Sequence, residues 1–156
     1  MEQRINALEK GQNAFKAMYG LGVYLAKSSI EKPLQDLMYF RVSQINGCAY
    51  CLDMHSKDLR AHGETEQRLH MIAAWRETPF YTDRERAALA WAEALTLVTQ
   101  GHVSDAVYEQ VRSEFSEEEI IDLTVAVNTI NDYNRINIAF RTTAGGYQVG
   151  AFAVHK

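Results

Sequence analysis

The chain has 156 residues, of which 47% are hydrophobic and 23% charged, with a net charge of −4. That length and composition suit one soluble domain over residues 1–156 with a real apolar core. The acidic balance argues against nucleic acid, whose phosphates need a basic surface. The start, MEQRINALEKGQNAF, has no basic stretch followed by an apolar run, and no apolar run approaches the roughly 20 residues that cross a bilayer. The expectation is a cytoplasmic protein with no membrane partner.

The apolar spacing is helical throughout, and no alternating run suggests a sheet. The pattern predicts an all-α fold, a compact bundle of about six to seven helices. The first helix is read over Leu8 to Lys27 and the second from Glu31 to Asn46. Asn46-Gly47 is a turn signal and supplies an N-cap for a third helix, Cys48 to His62, which Gly63 ends. A short helix follows from Glu66 to about Trp75, then a loop from Arg76 to Tyr81 that holds Pro79.

Thr82 and Glu85 form a capping box, in which each side chain satisfies a free backbone N–H of the first turn. Ala88, Trp91, Ala92, Leu95 and Thr99 then mark one helix face, and Gly101 closes the segment. A short helix is read from Ser104 to Glu114. Ser116 and Glu119 make a second box, opening a long helix to about Arg141. Its first half, IIDLTVAVNTI, is apolar nearly all round and reads as central and buried. Asn128, Asn131, Asn134 and Asn137 step along it by three. They read as an interhelical hydrogen-bond strip, with a polar wall of a pocket as the alternative. Trp75 and Trp91 read as core, and His70 and His102 as surface or capping residues. The tail from Gly145, with Phe152 and Val154, reads as frayed or packed on a neighbouring subunit.

The only two cysteines, Cys48 and Cys51, lie in QINGCAYCLDMH, with His55 one helical turn later. In a reducing compartment such a pair points to catalysis, redox sensing or metal binding rather than a structural staple. At about 100° per residue the three side chains share one face. Cys51 and His55 are about 6 Å apart along the axis and Cys48 and His55 about 10 Å. The histidine is therefore placed as base to Cys51, not Cys48. The helix N-terminus also favours a thiolate. Both effects are expected to activate Cys51. Zinc is disfavoured, because three ligands cluster where four are needed.

At this motif the chain resembles the alkylhydroperoxidase D-like branch of the carboxymuconolactone decarboxylase superfamily. The likeness is carried by RVSQINGCAYCLDMHSKDLRAHGETEQRLHMIAAWRETPFYTDRERAALAWAEALT (Arg41 to Thr96), then HVSDAVYEQVRSEFSEEEIIDLT and NDYNRINIAFR. It implies an all-helical homo-oligomer, trimer or hexamer, that works as an antioxidant thiol peroxidase without a bound cofactor. Cys51 would attack a hydroperoxide, and Cys48 would resolve the sulfenic acid to a disulfide. An external dithiol, in the family typically lipoyl groups on a partner protein, would restore the pair. The family's proton relay includes a glutamate twelve residues before the first cysteine. Asp36 stands there, one methylene shorter. Tyr50 stands where the best-studied type has a histidine, and tyrosine is a poor base at neutral pH. A general dithiol-disulfide oxidoreductase and a non-catalytic redox-sensing oligomer remain alternatives. The lactone decarboxylase of the superfamily would leave the dithiol without a use.

Overall fold

A computed structural model describes residues 2–152. Those residues form nine α-helices and one 3₁₀ segment and contain no strand. The helices are α1 (Ala7–Lys10), α2 (Gln12–Leu25), α3 (Lys32–Asn46), α4 (Ala49–Ala61) and α5 (Glu66–Met71). The 3₁₀ segment, Ile72–Glu77, precedes α6 (Asp83–Thr96), α7 (Val98–Gly101), α8 (Asp105–Glu114) and α9 (Glu117–Phe140). The all-α expectation holds. The helix number is higher because two predicted helices are broken, at Gly11 and at Leu97. None of these helices is long and apolar enough to cross a membrane.

Helix α3 is the centre. It packs on α4, α6 and α9, and two apolar clusters lie on either side of it. One joins Leu34, Met38 and Val42 of α3 to Trp91 of α6, Val111 of α8 and Leu123, Val127 and Ile130 of α9. The other joins Leu37 and Phe40 to Leu59 of α4, Ile72 and Trp75 of the 3₁₀ segment and Leu89 of α6. Both tryptophans are thus core. Burial of these side chains, about 1.5–3 kcal/mol each, holds the helices together. Helix α9 is less uniformly buried than its composition suggests, since Ile121 is 62% exposed.

Both capping boxes form. Thr82 and Ser116 accept from the backbone N–H of Glu85 and Glu119, whose side chains accept in return from the cap residues.

The α3–α4 connection positions the cysteines. Gly47 adopts φ +69°, the left-handed conformation that only glycine takes without cost. Its N–H and that of Cys48 close the end of α3 on Gln44 and Ser43 carbonyls. The chain turns back at once, so α4 runs antiparallel along α3. The N-cap of α4 is Cys48, not Asn46 as expected. The Asn46 amide instead donates to Asn131 Oδ1 and Asn134 Oδ1, both at 2.9 Å.

The tail also departs from expectation. Residues 143–152 form a strap held on α4. Lys57 Nζ donates to the Gly145 and Tyr147 carbonyls, Asp53 accepts from Gly145 N, and the Tyr147 hydroxyl donates to Asp58. Val154 lies outside the described residues.

Candidate functional site

Cys48 and Cys51 are free thiols at the start of α4, each 1% exposed. Cys48 takes the position that serine or aspartate fills in other helices. Its backbone is extended (φ −82°, ψ 96°), and its Sγ accepts from the Cys51 N–H at 3.4 Å. The site thus uses an end-of-helix donor to hold a sulfur.

This geometry divides the pair electrostatically. The neighbouring Cys51 side chain is the main influence lowering the Cys48 pKa, aided by the Cys51 and Tyr50 N–H groups and Asn134 against burial. The Cys51 pKa is raised, first by the Cys48 side chain and then by burial. Of the two thiols, Cys48 is the one whose ionisation this arrangement favours. These directions run opposite to the expectation that dipole and base both act on Cys51. The helix end serves the N-cap residue, whose sulfur takes the N–H of Cys51, the third helical residue.

His55 makes no hydrogen bond to either sulfur. It is buried, and neither ring nitrogen has a hydrogen-bond partner among the described residues. Its ring packs against Tyr39, centroids 5.5 Å apart. Burial pushes its pKa down to about 3, so it is neutral. Asp36 is also buried, but it pairs with Lys32 and lies 3.8 Å from His62 Nδ1. Burial raises its pKa against the pull of Lys32. Asp36 and His55 therefore make no direct bond. Tyr50 is half-buried, and burial followed by the Cys51 charge raises its pKa.

The structure adds residues that sequence reasoning weighed only as a strip. Asn137 Nδ2 donates to Cys51 Sγ at 3.5 Å. Asn134, fully buried, donates to Ser43 Oγ at 3.1 Å and favours the anionic form of both thiols. Their three-residue stepping was the visible signal. Which amides would meet sulfur depended on how α4 and α9 cross. Among the described residues, no group of three or more His, Cys, Asp or Glu side chains is placed to hold a metal ion.

Known proteins resemble this chain over most of its length. Residues 9–94 match the carboxymuconolactone decarboxylase family. The chain is 42% identical to the uncharacterized protein YdfG of Bacillus subtilis over 92% of this chain and 98% of that one. A 45-residue stretch, 29% of this chain and 25% of the other, is 40% identical to alkyl hydroperoxide reductase AhpD of Hyphomonas neptunium. A crystal structure from Agrobacterium tumefaciens, of a protein of unknown function described as a putative antioxidant defence protein AhpD, superposes with a TM-score of 0.89. It is 40% identical, over 94% of this chain and 100% of that one. The chain belongs to the carboxymuconolactone decarboxylase family, in its alkylhydroperoxidase D-like branch.

Proposed function

We propose that this family member is a thiol peroxidase that reduces hydroperoxides through a Cys48–Cys51 dithiol/disulfide cycle. The observation that carries this reading is the pair of buried free thiols at the start of α4, with Cys48 Sγ at the N-cap accepting from the Cys51 backbone N–H. In this reading Cys48, whose pKa is lowered there, is the base, and the neutral His55 is not. As Cys51 Sγ attacks the terminal peroxide oxygen, its proton passes to Cys48. The O–O bond breaks, the departing alkoxide takes that proton from Cys48 and leaves as the alcohol, Cys48 returns to its thiolate, and Cys51 becomes a sulfenic acid. The Cys48 thiolate then attacks that sulfur, the S–O bond breaks, and hydroxide leaves with one proton as water. An external dithiol, of the lipoyl type, reduces the disulfide by two exchanges and is itself oxidised to a disulfide.

The test is peroxide consumption by the purified protein with cumene hydroperoxide and dihydrolipoamide. Wild type is expected to turn over, Cys51→Ser to be inactive, and Cys48→Ser to stop after one equivalent with a dimedone-reactive sulfenic acid. If wild type consumes no peroxide yet reduces small disulfides, the protein is a general dithiol oxidoreductase and the peroxidase reading is wrong.

The reading includes a homo-oligomer, trimer or hexamer. Leu8, Tyr19, Leu21 and Tyr24 are exposed on α1 and α2 and offer an apolar surface for such contacts. Light scattering on the eluted protein would return a monomer mass if this is wrong.

A further inference from the structure

Helix α9 turns three asparagines towards α3, α4 and α6, and two of them are spent on holding helices together. Asn131 Nδ2 donates to Thr96 Oγ1 and to the Val127 carbonyl, and Asn134 Nδ2 to Ser43 Oγ. Both accept from the Asn46 amide. Asn137 is different. Its amide nitrogen has two hydrogens. One goes to the Tyr133 carbonyl at 2.9 Å, a bond to the preceding turn of its own helix that fixes the amide in place. The other goes to Cys51 Sγ. No other helix is joined by this side chain, so its polarity is explained by the sulfur and not by packing.

We propose that Asn137 is a catalytic residue of the dithiol cycle, a fixed N–H donor that stabilises the negative charge developing on Cys51 Sγ. It rests on the dithiol reading above and extends it. When the Cys51 proton passes to Cys48, charge appears on a buried sulfur with no free helix N–H beside it. A donor already held at 3.5 Å needs no reorganisation to meet that charge. Burial and the Cys48 sulfur oppose ionisation of Cys51, and Asn137 acts with Asn134 in the opposite sense. Asn137 thus narrows the gap that proton transfer from Cys51 to Cys48 must cross.

Ionisation of Cys51 is measurable without any peroxide. In a Cys48→Ser background Cys51 is the only thiol, and its thiolate absorbance near 240 nm can be followed against pH. Asn137→Ala removes the donor, and Asn137→Asp keeps the shape but replaces the donor with a negative oxygen. The Cys51 pKa is expected to rise by about one unit in Asn137→Ala, and further in Asn137→Asp. A purely structural role would move neither in that order. An unchanged pKa in Asn137→Ala, or an equal shift in both variants, overturns the proposal. If either variant fails to fold, the other decides by comparison with Cys48→Ser alone. Because no peroxide is used, failure of the peroxidase reading in the activity assay leaves this result interpretable on its own.

Discussion

His55 is held neutral by burial, and that has a consequence for stability as well as for mechanism. Its folded pKa, about 3, lies below the ordinary value of 6.5. Between these values the unfolded chain binds more protons than the folded one, so stability rises with pH across this window and is lost as pH falls from 6.5 towards 3. Each pH unit costs at most about 1.4 kcal/mol. Urea unfolding of wild type and His55→Leu at pH 6.5, 5.5 and 4.5 checks this. The wild type is expected to weaken more steeply on acidification, and parallel curves would show that His55 is not the responsible group. Asp36 contributes with the opposite sign, because its raised pKa makes the folded carboxyl prefer its proton. At this scale the sequence placed two thiols and a histidine on one helix but not what each of them bonds to. The spacing of Cys48, Cys51 and His55 was legible. Which sulfur would cap the helix was not, because it depends on Cys48 leaving helical φ/ψ by one residue and folding its side chain back on the Cys51 N–H. Asp36 was found by position alone. Its pairing with Lys32 is local, one turn earlier on α3, whereas the approach of His62 at the end of α4 is set by the antiparallel packing of α3 on α4.

Elements with capping signals were predicted closely, since Thr82/Glu85 and Ser116/Glu119 satisfy their helix ends with residues only three apart. The breaks were harder. Gly11 ends α1 and starts α2, and the residues that stabilise the short first turn, Asn6 accepting from Glu9 N, leave only a weak mark in the sequence. The turn at Gly47 is the connection that leads directly into the helix carrying both cysteines. No side-chain or backbone atom lies within 4 Å of a Cβ placed there, so a substitution would meet conformational strain and no clash. Gly47→Ala is expected to lose about 1–2 kcal/mol through the left-handed backbone alone. The same change shifts the residue that caps α4, so the Cys48 thiol should also lose part of its acidity. Thermal unfolding and thiolate absorbance on one sample test both. A stability loss with no change in thiol titration would separate the turn from the site.

For the whole molecule the difficulty is access, since both cysteines are 1% exposed and the proposed reaction needs a peroxide to reach one of their sulfurs. Two kinds of opening are available. Parting α4 from α3 and α9 would expose Leu59 and the surrounding apolar cluster, at about 1.5–3 kcal/mol for each large side chain. Releasing the strap breaks a few hydrogen bonds from Asp53, Lys57 and Asp58, worth about 0.5–1.5 kcal/mol each, and exposes one large buried side chain, Tyr147. The second is the cheaper. It also bears on the site, because the strap is held by Asp53, Lys57 and Asp58 of α4, the helix whose start carries both cysteines. These strap contacts join residues about ninety positions apart, which is why a Gly-rich tail gave no sequence sign of them. Tyr147 is the strap's main anchor, 6% exposed, bonded to Asp58 and accepting from Gly150 N. Tyr147→Ala is therefore expected to speed alkylation of the two thiols by iodoacetamide about tenfold, the ratio that about 1.4 kcal/mol of easier opening gives. Amide hydrogen exchange across residues 143–152 should quicken by a similar factor. If exchange in the strap quickens while the thiols react no faster, the strap is support for α4 and peroxide enters by another opening.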